Sequence, residues 1–150
     1  MRTFDDLVEA HGREIFAYAL RLTGDRDDAD DLFQETFLAA FRAFASARQD
    51  NLRAWLYRIA TNKAIDVRRR QARRVSLDDL ELAAPQRDGV TTADLAAAIT
   101  ALPAHERAAF VLRRVQDLSY ADVASALDCT EEAARKRVSE ATKKVKEAIA

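Results

Sequence analysis

Eight basic residues lie within positions 53–74, with Asp66 as the only acid among them, so this stretch carries about +7 in a chain whose formal net charge is -1. Cations at this density can neutralise phosphates. The stretch also holds an aromatic pair, Trp55 and Tyr57, and the amide of Asn62, which can form hydrogen bonds. These residue types favour non-covalent binding of nucleic acid. The alternative is a charged surface helix, although such a helix normally interleaves acids with its bases.

Charge alternates along the rest of the chain. Residues 1–52 carry 6 basic and 11 acidic side chains, residues 75–94 carry 1 and 5, and residues 95–150 carry 9 and 8. This alternation suggests that different faces meet different partners, and only the segment 53–74 is suited to phosphates.

Catalysis is the least favoured class of function. The sequence has no glycine-rich phosphate loop, no cysteine or histidine at metal-ligand spacing, and no base placed beside a nucleophile. His11 lies on an apolar stripe and is interpreted as a packed residue. Cys129 is the single cysteine, cannot form an intramolecular disulfide, and is interpreted as a small turn residue. We therefore expect no enzymatic activity, no cofactor and no metal.

Composition favours an all-α fold with one core or two small ones. Three glycines and two prolines leave little turn chemistry for hairpins, whereas helix-forming residues are abundant. No apolar run approaches the roughly 18 to 20 residues that a membrane-spanning helix needs, and the first residues do not resemble a secretion signal. We expect a soluble, cytoplasmic protein without membrane insertion.

Capping signals and periodicity predict three helices in the first half. The first follows Thr3, which can form a capping box with Asp6, and ends at Gly24. The second runs from about Asp25 or Asp27 to Phe44 with an acidic flank, and the third follows Asn51 as its N-cap. Taken alone, the acidic flank is explained as a solvated face that favours the helix dipole. The residues predicted to face the core from the second and third helices are Ala29, Leu32, Phe33, Phe37, Ala40, Phe41 and Phe44, then Leu52, Trp55, Leu56, Ile59 and Ala60.

Residues 75–90 have no clean period and contain four acids, a proline and a glycine, which predicts an acidic linker. Further helices are predicted from Thr91 or Thr92 to Ala101, and from Pro103 to Arg114 or Val115. Ser119 then caps a short helix, positions 128–130 form a tight turn, and a long helix repeats apolar residues as far as Ile149. This order predicts a helix-turn-helix.

The two halves together resemble a bacterial sigma factor of the extracytoplasmic-function (ECF) group of the sigma-70 family. The strings that carry the resemblance are DLFQETF at 31–37 followed by Phe41, WLYRIATN at 55–62, LP at 102–103 and LSY at 118–120. They are specific in combination and in order, and they cover nearly the whole chain. The resemblance implies two small helical domains, a sigma region 2-like domain at 1–74 and a sigma region 4-like helix-turn-helix domain at 91–150, joined by the acidic linker.

The resemblance also implies partners and site residues. Such a subunit binds the beta-prime clamp helices of core RNA polymerase, directs promoter-specific initiation, and in some cases is held by an anti-sigma factor. The implied core polymerase contacts are Asp31, Gln34, Glu35 and Phe37. The implied minus-ten DNA contacts are Trp55, Tyr57, Arg58, Asn62, Asp66, Arg69, Arg70 and Arg73. The implied minus-35 DNA contacts are Ser119, Arg135, Lys136 and Arg137. Trp55 is equally well explained as a core residue.

The last predicted helix departs from the family pattern. It opens with Thr130, Glu131 and Glu132 where the family has small or apolar residues, and Glu140 and Thr142 replace expected arginines. Carboxylates at the start of the helix repel phosphate. Two other interpretations therefore stay open: an autonomous helix-turn-helix regulator that binds duplex DNA without polymerase, and a sigma-like adaptor that binds proteins with weakened DNA contact.

Overall fold

The computed structural model describes residues 3–74 and 91–150, with Gln49 and residues 69–74 described as backbone only. Within these residues there are seven α-helices: α1 (Phe4–Thr23), α2 (Arg26–Ala43), α3 (Leu52–Arg74), α4 (Thr92–Thr100), α5 (Ala104–Phe110), α6 (Tyr120–Leu127) and α7 (Glu131–Ile149). Two short 3-10 segments, Phe44–Ser46 and Gln49–Asn51, join α2 to α3, and a π-helical turn, Val111–Val115, extends α5. The described part of the chain is all-α, as predicted. The predicted linker, 75–90, lies outside the described residues.

Local capping sets where the first helix begins and ends. The Asp6 N–H donates to Thr3 Oγ1 at 3.1 Å, and the Thr3 N–H donates to Asp6 Oδ2 at 3.2 Å, so the predicted capping box is confirmed. Gly24 ends α1 with a φ of 70°, in the left-handed region that glycine adopts without a Cβ clash.

The later helices of the chain also begin close to their predicted positions. Thr91 and Asp94 form a capping box at α4, and Asn51 Oδ1 accepts the Ala54 N–H at 3.2 Å at the start of α3. Pro103 precedes α5 by one residue instead of opening it. Thr130 caps α7 after a turn that contains Asp128, so the predicted helix-turn-helix is confirmed.

The orientation of α2 differs from the prediction at one position. The buried residues of α2 are Ala29, Leu32, Thr36, Phe37 and Ala40, whereas Phe41 is 63% exposed. The prediction that Phe41 faces the core is therefore wrong. Each helical step turns by about 100°, so the residue after Ala40 lies at the margin of the buried face. The ring of Phe41 contacts Phe4 edge to face and otherwise meets solvent.

One continuous hydrophobic core joins the two halves of the chain. It contains Leu56 and Tyr57 from α3 together with Leu112, Leu118 and Val123 from the second half. Helix α6 packs along α3, and α4 contacts α1. The two predicted domains therefore lie against each other in a closed arrangement.

Arg107 anchors this arrangement through a buried guanidinium. Its Nη1 donates to the Leu22 carbonyl at 2.6 Å, at the end of α1. Its Nη2 donates to the carbonyls of Thr100 and Leu102, at and beyond the end of α4. Carbonyls at helix ends lack intrahelical donors and carry partial negative charge, so a buried cation is stabilised there without a carboxylate.

Replacing Arg107 with methionine is expected to lower the free energy of unfolding by about 3 kcal/mol, because three carbonyls lose a charged donor. Urea denaturation followed by circular dichroism measures the change. Arg114→Met is the matched control, since Arg114 is exposed, and should change stability by less than about 0.5 kcal/mol. Equal stability of the two variants would remove the anchoring role.

Candidate polymerase and nucleic-acid interface

An acidic and apolar surface lies along α2. Asp31, Gln34 and Glu35 are exposed, and two large apolar side chains continue the same helix, Leu38 at 50% and Phe41 at 63% exposure. Spacings of three and four place all five on adjoining sides of the helix. We call these five residues the α2 face. Leu38 was not predicted as part of this contact from the sequence, although its position four residues after Gln34 places it on the same side of the helix.

Phe37, the fourth residue expected at this contact, lies beneath the α2 face. It is only 8% exposed, and its ring packs on Phe33 at 4.8 Å and on Phe4 at 6.3 Å between centroids. Phe37 therefore supports the helix from the core side.

The start of α2 is strongly electronegative. Burial raises the pKa of Asp28, and the charges of Asp25, Asp31 and Asp27 raise it further. Asp28, Asp31 and Glu35 also line one wall of a groove of about 440 Å3 between α2, α3 and α5. Such a surface is complementary to a basic partner.

A polar row lies on the exposed side of α3. Arg58, Asn62 and Asp66 are exposed and follow one another at intervals of four residues, as expected. Trp55 is half-buried and packs against the core, as one of its two predicted roles requires, and its role at the minus-ten element stays a prediction. The side chains of Arg69, Arg70 and Arg73 lie outside the described part of α3.

Tyr57 lies behind that row. Its side chain is fully buried, its ring packs on Tyr18 at 5.1 Å between centroids, and its hydroxyl donates to Glu14 Oε1 at 2.7 Å. Burial raises the pKa of Tyr57, the hydrogen bond from Gln116 lowers it by less, and the hydrogen bond to the Glu14 carboxylate raises it again, so the phenol stays protonated. In the closed arrangement Tyr57 is a structural donor that DNA cannot reach.

Glu14 joins α1 to α3. Besides the hydrogen bond from Tyr57, the Glu14 carboxylate accepts a hydrogen bond from Arg53 Nε at 2.9 Å and contacts His11 Nδ1 at 2.8 Å. Burial acts to raise the pKa of Glu14, but these hydrogen bonds outweigh it and hold the pKa below its ordinary value. The resulting stabilisation is present above the unfolded-state pKa and is lost as pH falls through the folded-state pKa. His11, predicted as a packed residue, is thus partly buried and paired.

Gln116 connects this network to the second half of the chain. Its side-chain amide donates to the Tyr57 hydroxyl at 2.9 Å and to the Glu14 carbonyl at 3.1 Å, while its oxygen accepts from Arg21. These partners are far apart in sequence, so no local pattern indicated the role of Gln116.

Carboxylates of the helix-turn-helix lie on the basic side of α3. Asn51 Nδ2 donates to Asp122 Oδ1 at 3.0 Å, and Arg58 Nη2 lies 3.5 Å from Asp128 Oδ2. Both contacts are exposed and each is weak by itself. Together they place acidic groups beside one of the residues expected to bind the minus-ten element.

The helix-turn-helix exposes most of its predicted DNA contacts. Ser119 is exposed, and its hydroxyl already caps α6 by accepting the Asp122 N–H at 3.1 Å. Arg135 and Lys136 are exposed, whereas Arg137 is half-buried and its buried Nη1 has no hydrogen-bond partner among residues 3–74 and 91–150. Glu131 and Glu132 are exposed at the start of α7, where their charge acts against phosphate.

No group of three His, Cys, Asp or Glu residues within 3–74 and 91–150 is arranged to hold a metal ion. Over the same ranges, no helix combines the length and apolarity needed to cross a membrane.

Comparison with known proteins places this geometry in a family. The chain matches the models for Sigma-70 region 2 over residues 7–74 and Sigma-70, region 4 over residues 92–145. It is 32% identical over 161 residues to the ECF RNA polymerase sigma factor SigE of Mycolicibacterium smegmatis, covering 100% of this chain and 63% of SigE. It is 30% identical over 167 residues to the RNA polymerase sigma-H factor of Pseudomonas aeruginosa, covering 99% of this chain and 86% of that protein.

A solved structure shows the same fold. The sigma factor RpoE from Bartonella quintana, in complex with the anti-sigma factor NepR, is similar with a TM-score of 0.80 and 26% identity, over 99% of this chain and 97% of RpoE. The helical fold, the basic helix and the helix-turn-helix thus define a sigma factor. The chain belongs to the sigma-70 family, in its extracytoplasmic-function group. The resemblance predicted from the sequence is confirmed, and proteins of this family act in transcription initiation without catalysing a reaction.

Proposed function

We propose that this chain docks on core RNA polymerase through the α2 face, captures the minus-ten strand with the exposed row of α3, and binds upstream duplex DNA with α7. Residues 1–74 then form the polymerase and minus-ten unit, and residues 91–150 form the upstream unit. The protein works in the cytoplasm, where polymerase and promoters meet. The observation that carries the proposal is the presence of two different exposed faces on neighbouring helices, one acidic and apolar and one basic and polar.

The α2 face supports docking on a protein. Leu38 and Phe41 offer apolar area, while Asp31 and Glu35 offer negative charge beside it. A partner that matches both is a basic surface with an apolar hollow, and the beta-prime clamp helices are the partner that the family implies. Burying exposed aromatic and aliphatic side chains at the centre of an interface supplies most of its binding energy.

The α3 row supports capture of an unpaired base. The amide of Asn62 both donates and accepts hydrogen bonds, and an unpaired base edge offers the complementary groups. Arg58 and Lys63 lie within one turn of it, so the phosphates of the same strand find cations nearby. Duplex DNA keeps that base edge occupied, which favours binding after promoter melting.

Promoter binding by both halves requires the closed arrangement to open. A compact chain of 150 residues has a radius of gyration of about 15 Å and hence a diameter of about 40 Å. The minus-ten and minus-35 promoter elements are centred about 25 base pairs apart, which is about 85 Å at 3.4 Å per base pair. The same molecule spans both only when the second half leaves α3.

An anti-sigma factor is a further candidate partner. The similar RpoE structure is a complex with the anti-sigma factor NepR, and this chain shares its fold over nearly its full length. The groove between α2, α3 and α5 and the exposed α2 face are the surfaces that such a partner would compete for.

Asn62→Ala is expected to lower promoter-specific initiation about tenfold, since one base contact contributes roughly 1 to 3 kcal/mol. The measurement is run-off transcription with purified core polymerase from promoters selected out of a genomic library. Core association should stay unchanged, because Asn62 lies off the α2 face. Undiminished initiation by the variant would contradict the proposal that the α3 row binds the minus-ten element.

The alternative, an autonomous helix-turn-helix regulator, predicts a different result in a mobility-shift assay. A sigma factor binds its promoter strongly only when core polymerase is present, whereas an autonomous regulator binds without it. A sigma-like adaptor, which Glu131 and Glu132 favour, would associate with core and fail to shift DNA in either condition.

A further inference from the structure

The ring of Tyr120 connects three elements of the second half. Tyr120 is the first residue of α6. The guanidinium carbon of Arg113, in the π-helical turn, lies 4.5 Å from the ring centroid, and that of Arg135, in α7, lies 4.2 Å from it. Arginine stacks well on aromatic rings because its planar, delocalised cation is weakly hydrated. One ring thus holds two cations from separate elements.

Both cations keep their charge available. Arg113 Nη1 donates to the Leu118 carbonyl at 3.0 Å, a neutral partner. Arg135 lies four residues after Glu131, a spacing at which Glu and Arg commonly pair on a helix. Over the described ranges, however, none of the ion pairs involves Arg113 or Arg135. The contact with Tyr120 therefore replaces the expected intrahelical pair.

The surface beside the stack is also suited to an anion. A groove of about 600 Å3 adjoins Tyr120 and is lined by the cations of Arg114, Lys143 and Lys146 and by the hydroxyl of Ser139. Glu147 is the one carboxylate among its lining residues. A run of phosphates crossing α6 and α7 would meet cations on the ring and in the groove.

We infer that Tyr120 is the positioning residue of the upstream DNA interface, holding Arg135 away from Glu131 and toward the phosphates of duplex DNA. This inference rests on the proposed role of α7. An arginine already ordered by stacking loses less conformational freedom when it binds. The stack thereby offsets the two carboxylates at the start of α7, which otherwise weaken DNA contact.

The test uses the complete chain assembled with core polymerase and a duplex fragment that ends upstream of the minus-ten element. Fluorescence anisotropy measures its affinity. Tyr120→Leu, which removes the ring, should weaken binding about fivefold, as expected for the loss of a cation–π contact and of preorganisation. Tyr120→Phe, which keeps the ring, should bind within about twofold of the parent chain. Tyr120→Met serves in place of the leucine variant if the latter loses helical content.

Two further readouts separate positioning from a direct contact. The salt dependence of affinity should keep its slope in Tyr120→Leu, whereas Arg135→Ala should reduce the slope by about 0.9, one phosphate contact. In the double variant, Tyr120→Leu should add nothing to Arg135→Ala. Parent-like binding by Tyr120→Leu, or equal loss in Tyr120→Phe, overturns the inference. Parent-like binding by Arg135→Ala instead removes the proposed DNA role of this arginine.

Discussion

A chain whose residues 51 and 122 are joined by a short thiol crosslinker is expected to lose promoter-specific initiation by at least about a hundredfold, because a covalent lock removes the open population that both promoter elements require. The chain carries Asn51→Cys and Asp122→Cys in a Cys129→Ser background. Asn51, which caps the start of α3, and Asp122 of α6 are suitable because Asn51 Nδ2 lies 3.0 Å from Asp122 Oδ1 and neither residue is buried.

The crosslinker should be cleavable, so that the same sample is assayed before and after the lock is released. Cleavage is expected to restore initiation, and each single-cysteine chain treated with the same reagent is the control for chemical damage. Core association should persist in the locked chain, since Leu38 and Phe41 are exposed in the closed arrangement. Unimpaired initiation by the locked chain would show that the halves need not separate.

The double substitution Leu38→Asp and Phe41→Asp is expected to weaken association with core polymerase about a hundredfold, the loss expected when apolar anchors at the centre of an interface are replaced by charges. Folding should be little changed, because both side chains are at least half exposed. Titration of a fluorescently labelled chain with purified core measures the affinity, and urea denaturation verifies the fold.

Leu20→Asp is the matched control for this pair. Leu20 is also a large exposed apolar residue of the first half, at 39% exposure, but it lies on α1 and outside the α2 face. It should bind core like the parent chain. If the control and the double variant associate equally well, the docking surface is not the α2 face.

The closed arrangement has a consequence for how these effects combine. The contacts between the halves include those of Arg107 and Gln116 and the exposed pairs beside α3, and they are lost when the second half leaves α1 and α3. If the proposed opening is correct, core polymerase and promoter supply more binding free energy to the open state than these contacts supply to the closed one. Substitutions at the contacts between the halves and substitutions at the polymerase and DNA surfaces are expected to have non-additive effects, because both shift the equilibrium between the closed and open arrangements.

Helix boundaries and the cationic segment were determined by the sequence itself, because both depend on residues close together in the chain. Thr3 with Asp6, Thr91 with Asp94 and Ser119 with Asp122 each place a cap three residues from its partner, and all three caps formed. The family motifs are likewise contiguous strings, and they were sufficient to predict the family.

Only the tertiary structure decided which of the motif residues reach the surface. A helical face shifts by about 100° with each residue, so periodicity could not separate buried Phe37 from exposed Phe41. Tyr57 is buried because α1 and Gln116 enclose it, and those partners lie 43 and 59 residues away. The stack on Tyr120 and the buried cation of Arg107 likewise depend on helices that meet only in the folded chain.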